Sequence, residues 1–402
     1  MTSTIIPSPA KPKRRPAARL GRADRSPISL WFWEIDRVLL VLVLTLMSVG
    51  LIAVAAASPT AAVRYSGGDV NIAPLHYFWR QAMFVGIGLP VMLVVSTMPA
   101  QMARRLAILG AIVFGGLLLM VPFVGSSANG ATRWIGGGFA QIQPSEFLKP
   151  FYVVTLAWLL SLRAHDDTLP VVPLSALMTG IIAVFLMKQP DFGQTIIFCS
   201  MWLALLLLSG VSAKIIGWLS ALGAVGIAAA YLFYPVATQR INNFIFATGD
   251  TYQTDSARAT ITAGGFFGTG PGAGVKKFRL PEGHTDYIFS VVGEEFGIIV
   301  CLLIACLFLA IVVRVFLRLL DEEDSFQVLA AAGLVMQLGL QALINMAVNV
   351  GLAPSKGMTL PFISYGGSSM IALCAGFGLL LAFTRRNPYL TRSPYVVKWN
   401  KR

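Results

Sequence analysis

The chain has 402 residues, 56% of them hydrophobic and only 12% charged, with a mean hydropathy of +0.73. A water-soluble protein of this length would need far more charge to cover its surface, so soluble classes are excluded. The net charge of +13 is ordinary for a membrane protein with basic loops on one face, and it implies no nucleic-acid partner.

The first tail, 1–35, opens with residues 1–30, rich in Pro, Ala and Arg, with Lys11, Lys13, Arg14, Arg15, Arg19, Arg22 and Arg25 and no apolar face. They read as a disordered basic cytoplasmic tail able to touch anionic lipid. The tail's length and the full-length span after it argue against a cleaved signal peptide. Residues 36–386 form the membrane domain, and 387–402 a second cytoplasmic tail. Apolar runs of roughly 20 residues, each long enough for a ~30 Å hydrocarbon core, recur through the domain. Ten spans are predicted, at about 38–57, 78–97, 106–125, 146–162, 170–187, 195–210, 215–234, 288–313, 326–350 and 366–384, with the fourth and sixth short. The Arg104-Arg105 pair, Arg314 with Arg318, and Arg385-Arg386 fall on the tails' side when both termini are cytoplasmic. The fold class is therefore an all-α polytopic membrane protein of about ten transmembrane helices.

The polar exceptions follow in chain order. In QIQPSEFLK, 141–149, Pro144 suits a first helical turn and Glu146 its positive end, with Lys149 three residues on in ion-pair reach. Asp191 in KQPDFGQT is placed to cap the sixth span. Between the seventh and eighth spans lies a large outer loop, 235–286, carrying Arg240, Arg258, Lys276, Lys277 and Arg279 against the usual charge bias. Those cations read either as lipid-headgroup anchors or as a site for a phosphate-bearing substrate. Its stretch GGFFGTGPGAGVKK, 264–277, lets backbone amides approach a ligand, though it lacks the ending of a Walker loop.

Asp286 at the entrance of the eighth span and the Glu294-Glu295 pair within it are costly near a bilayer and so invite a task. Asp286 is also placed to cap that helix. The two glutamates point about 100° apart, so one can line a cavity while the other pairs with a neighbouring helix. Gln337, Gln341, Asn345 and Asn349 make a polar stripe down the ninth span, either interhelical glue or the wall of a wet cavity. Nine acidic residues fall on the cytoplasmic side. Outward-facing acid–base chemistry must then draw on Asp69, Glu146, Asp191, Asp250, Asp255, Glu282, Asp286, Glu294 or Glu295. The four cysteines lie in apolar runs and read as packing residues; the three histidines are scattered.

Six motifs, ANGATRWI (128–135), QPSEFLK (143–149), QPDFGQT (189–195), YQTDSA (252–257), LPEGHTDYIFSVVGEEFG (280–297) and PSKGMTLPFISYGGSS (354–369), occur in the order expected of SEDS proteins. The chain resembles that family, named for shape, elongation, division and sporulation, over about 38–385. The form of the last motif and WFWEIDR, 31–37, resemble the division member more than the elongation member.

The resemblance implies a peptidoglycan glycosyltransferase of the inner membrane. It would polymerise lipid II into glycan strands for the septal wall, with loss of undecaprenyl pyrophosphate. It implies a class B penicillin-binding protein as partner, within a larger set of division membrane proteins. Asp286 matches the family's presumed catalytic Asp, expected as general base. Arg133, Lys276 and Lys277 would meet the pyrophosphate, and Glu146 with Lys149 would hold the cavity or a coupled cation site. Asp191 matches a further motif position, while Lys356 and the SYGG turn, 364–367, would shape the outer rim. Arg258 departs from the apolar residue the family usually carries. A divalent cation, Mg or Mn, at the pyrophosphate is chemically reasonable. A lipid II flippase, a non-catalytic scaffold for the transpeptidase and another lipid-linked sugar ligase are the rival readings.

Overall fold

The computed structural model describes residues 27–67, 71–128, 131–137, 141–164, 166, 168–246, 251–355 and 357–385. Residues 1–26 and the predicted second tail, 387–402, lie outside the described residues, as does Lys356, while the end of the first predicted tail is helical rather than disordered. Before the membrane unit, a short helix α1, Pro27–Glu34, starts with a proline in its first turn and carries Trp31, Phe32 and Trp33.

Residues Arg37–Thr384 form one unit. Its helices are α2 (Arg37–Tyr65), α3 (His76–Ser96), α4 (Ala100–Val124), α5 (Pro144–Ser161), α6 (Val171–Lys188) and α7 (Phe192–Leu208). They continue as α8 (Ala213–Phe233), α9 (Pro235–Phe246), α10 (Tyr252–Ala263), α11 (Ile288–Leu319), α12 (Ser325–Asn349) and α13 (Gly367–Phe383). The ten predicted spans are all present, as α2–α8 and α11–α13. Eight are long and apolar enough to cross a membrane, while α7 and α13 are shorter apolar helices. The fourth span is thus longer than predicted, because a 3-10 turn, Leu162–Ala164, continues it. At 29 residues, α2 is longer than a ~30 Å core needs, and Arg64 and Tyr65 lie in its last turn.

Helices α5 and α13 are the most enclosed elements, and α5 is buried along both faces between α4, α7, α12 and α13. Helix α8 has no buried residue, as suits a helix whose surface faces lipid.

Two features differ from expectation. The segment 235–286 is no open loop: it holds α9, α10 and a 3-10 turn, Lys276–Arg279. Its polar composition conceals two helices, of which α10 packs on α11 and α12 and α9 packs on α8. An antiparallel hairpin, β1 (Ser126–Ala128) with β2 (Ala131–Trp134), also interrupts the all-helical pattern, extended by a bridge between Ile135 and Ile142.

Helix α11 is two helices joined at Gly297, whose φ of 80° lies in the left-handed region. A side chain there would also run into the backbone at Phe266, so only glycine fits on both counts. The break matters because the Gly-rich segment docks on it. Thr269 and Gly270 donate backbone N–H groups to the carbonyls of Glu294 and Glu295, and Ile298 donates to Gly265.

Candidate active site

Asp286 sits in the turn that enters α11. The carbonyl of Glu282 closes this turn by accepting the N–H groups of Thr285 and Tyr287, at 3.2 and 3.1 Å. The polar stripe of α12 holds the turn from the other side. Asn345 and Asn349 donate side-chain N–H groups to the Asp286 carbonyl at 2.8 and 3.1 Å. Asn349 Oδ1 accepts from the backbone and hydroxyl of Ser290, and Asn345 also donates to Met358 O. These two asparagines are interhelical glue, and what they fix is the backbone under Asp286.

The N-cap of α11 is Tyr287, so Asp286 does not cap that helix. Its half-buried carboxyl has no hydrogen bond among the described residues. It faces a small pocket lined by Asn345, Gly357 and Met358, where a Cβ on Gly357 would stand 3.4 Å from Oδ2. Burial, with Glu282 adding, pushes this carboxyl up to about 7, while Arg133 and Arg240 pull the other way.

Arg133 and Arg240 reach the same region from β2 and α9. Arg133 donates to the carbonyls of Gln189 and Pro190 and lies 3.5 Å from Asp191 Oδ2. Asp191 caps α7 by accepting from the N–H of Gln194 at 3.4 Å. Burial raises its pKa and Arg133 opposes the rise. Arg240 has a buried guanidinium nitrogen without a protein partner, and both burial and the nearby Arg133 charge work against its own. Asp286, Arg133, Asp191 and Arg240 therefore form one electrostatic cluster of two carboxyls and two guanidiniums. The outer-loop cations were visible in the sequence, but nothing there singled out Arg240. Its selection depends on the fold of α9.

Several predicted residues lie elsewhere. Lys277 is 2% exposed, and its ammonium pairs with Glu295 and donates to Ala56 O, so it is not available to a substrate phosphate. Glu294 accepts three backbone N–H groups, from Val275, Lys276 and Lys277, at 2.6–2.9 Å. The amides of residues 269, 270 and 275–277 are thus taken up by α11, while Glu295 Oε2 is buried without a hydrogen bond among the described residues. Lys276 is exposed one residue away, and Arg258 is exposed on α10.

Glu146 and Lys149 form a second cluster, within the helices. Lys149 donates to Glu146 Oε1 and Gln341 Oε1, both at 2.9 Å, and Gln194 donates to Glu146 Oε1 at 2.7 Å. With Gln337 they line a largely apolar cavity between α5, α12 and α13. Glu146 Oε2, Gln194 Oε1 and Gln337 Oε1 are buried in this cluster without a hydrogen bond among the described residues. Among the described residues no three of His, Cys, Asp and Glu gather as metal ligands.

Comparison with known proteins agrees with this architecture. The family model FTSW_RODA_SPOVE, described as "Cell cycle protein", matches residues 36–389. A protein of Caulobacter vibrioides named "Probable peptidoglycan glycosyltransferase FtsW" is 38% identical over 375 residues, covering 92% of this chain and 94% of that relative. A solved chain described under "Structural coordination of polymerization and crosslinking by a peptidoglycan synthase complex" superposes with a TM-score of 0.70 at 26% identity, over 87% of this chain and 97% of its own. The rod shape determining protein RodA of Thermus thermophilus gives 0.64 at 26% identity, over 87% and 96%. On the extent of these matches the chain belongs to the FtsW, RodA and SpoVE family of cell cycle proteins, the SEDS family its motifs resemble.

Proposed function

We propose that the protein is a peptidoglycan glycosyltransferase of the division type. It polymerises lipid II on the outer face of the inner membrane, at the septum, with both termini in the cytoplasm. The observation that carries this reading is Asp286: a carboxyl without a hydrogen bond among the described residues, raised to about 7, beside Arg133 and Arg240. The donor sugar of lipid II is α-linked to pyrophosphate and the product link is β, so the transfer inverts. It needs one base for the attacking 4-hydroxyl, and Asp286 takes that proton as the oxygen bonds to the donor's anomeric carbon. Pyrophosphate leaves as a stable anion, so no second carboxyl is needed to protonate it. Positive charge is needed instead, which Arg240 supplies with Arg133 beside it. Asp191 holds Arg133 in place. A divalent ion, Mg or Mn, would bind with the pyrophosphate, since no three of His, Cys, Asp and Glu gather among the described residues.

The buried acids and lysines pair with one another, Lys149 with Glu146 and Lys277 with Glu295, which supports a fixed scaffold over a transport path. A scaffold without chemistry would leave the Asp286 carboxyl without a purpose. The class B penicillin-binding protein is the proposed partner, since a structural relative comes from a synthase complex.

Two results are expected. Asp286 is protonated below pH 7 and ionised above it, so polymerisation should be lost as pH falls, by about tenfold per unit below the pKa. Initial rates across neutral pH check this, and a flat profile contradicts it. Arg240→Ala should lower kcat/KM by roughly 10²-fold, with Arg240→Lys intermediate because it returns the charge without the fork. Unchanged kinetics in the alanine variant would place the pyrophosphate elsewhere.

A further inference from the structure

The turn bearing Asp286 is clamped from a second direction. Tyr65, the last residue of α2, donates its hydroxyl to Glu282 Oε1 at 2.8 Å, and Thr285 Oγ1 donates to Glu282 Oε2 at 2.7 Å. Glu282 has a φ of 52°, a left-handed conformation that is strained for a residue other than glycine and persists only where its surroundings hold it. Here both ends of the residue are tied: the carbonyl by Thr285 and Tyr287, the carboxylate by Tyr65 and Thr285. The neighbouring His284 ring is buried 4.7 Å from Tyr77, 5.5 Å from Tyr365 and 6.0 Å from Tyr65. Burial lowers the pKa of this histidine, which suits a neutral ring packed among aromatics. Ser364 donates to Thr285 O at 2.6 Å and completes the clasp from the 364–367 turn.

We propose that Glu282 is a positioning residue for Asp286, clamped by Tyr65 and Thr285 so that the turn presents the Asp286 carboxyl with a second carboxylate beside it. The proposal rests on the reading of Asp286 as the general base. The other charged or titratable groups that act on Asp286 are Arg133 from β2, Asp191 from the start of α7, Arg240 from α9 and the adjacent Tyr287. Helix α12 presents only asparagines to the turn. Glu282 is the negative neighbour within the same turn. Its charge favours the protonated form of Asp286 and offsets the two guanidiniums.

The test is the pH–rate profile of lipid II polymerisation by the purified protein with its transpeptidase partner, for wild type, Glu282→Gln, Tyr65→Phe and Asp286→Asn. Glu282→Gln keeps the shape and removes the charge, so its acid limb should move to lower pH by about half a unit or more. Tyr65→Phe keeps the charge and frees one end of the clamp, so kcat should fall with the limb in its wild-type position. An unmoved limb in Glu282→Gln overturns the proposal, even if the rate falls. Should that variant fail to fold, Tyr65→Phe decides alone, and a wild-type kcat there overturns it. Asp286→Asn separates the two readings. If it is inactive at every pH, an unmoved limb counts against the clasp only; if it is active, the base assignment itself falls.

Discussion

Replacing Asp286 by Asn will remove polymerisation almost entirely, by about 10²–10⁴-fold in kcat, the range a general base supplies. The protein itself should fold normally. The carboxyl accepts no hydrogen bond among the described residues, and its backbone carbonyl, the part that Asn345 and Asn349 hold, is unchanged in the variant. Above pH 7 the substitution also removes a buried charge, so thermal stability should be equal or slightly higher. Asp286→Ala should be as inactive. Polymer lengths from lipid II, read beside a melting curve, check both parts. A folded Asp286→Asn with wild-type turnover would move the base to another carboxyl, with Asp191 next in line.

The second large effect is on folding. Lys277 and Glu295 are 2% and 1% exposed and pair with each other. Removing one partner leaves an uncompensated buried charge, which costs about 3–5 kcal/mol. That is a large fraction of the roughly 5–15 kcal/mol that holds a domain together. Lys277→Ala and Glu295→Ala should therefore yield little folded protein. The double variant Lys277→Met with Glu295→Leu should recover most of the loss, because apolar replacement of a whole buried pair is near neutral. Its folded fraction should still polymerise lipid II. If Lys277→Ala instead melts like wild type and raises KM, Lys277 is a substrate ligand after all.

That contrast marks the limit of what could be read from the chain. Hydrophobic runs located every span, since a 20-residue apolar segment has one stable place to be, and the motifs located Asp286. Lys276 and Lys277 looked equivalent, yet one 3-10 turn sends the first outward and the second into the core. Glu294 and Glu295 suggested a cavity. Their partners are the amides of residues 275–277 and the ammonium of Lys277, some 18 residues back in the chain, where no periodicity could pair them. Helices α9 and α10 stayed hidden because they are polar and short, and with α9 went the identity of Arg240 as a member of the site. The role of Asn345 and Asn349 was half legible: the stripe was visible, but not that it grips the Asp286 carbonyl.

The most direct test of the central claim is to reconstitute the wild-type protein with its class B penicillin-binding protein in liposomes carrying labelled lipid II. Glycan length and the distribution of lipid II between leaflets would be read from the same sample. β-Linked polymer is expected, with no movement of lipid II beyond that of protein-free vesicles. Rapid exchange of lipid II between leaflets without any polymer would contradict it and make the protein a transporter.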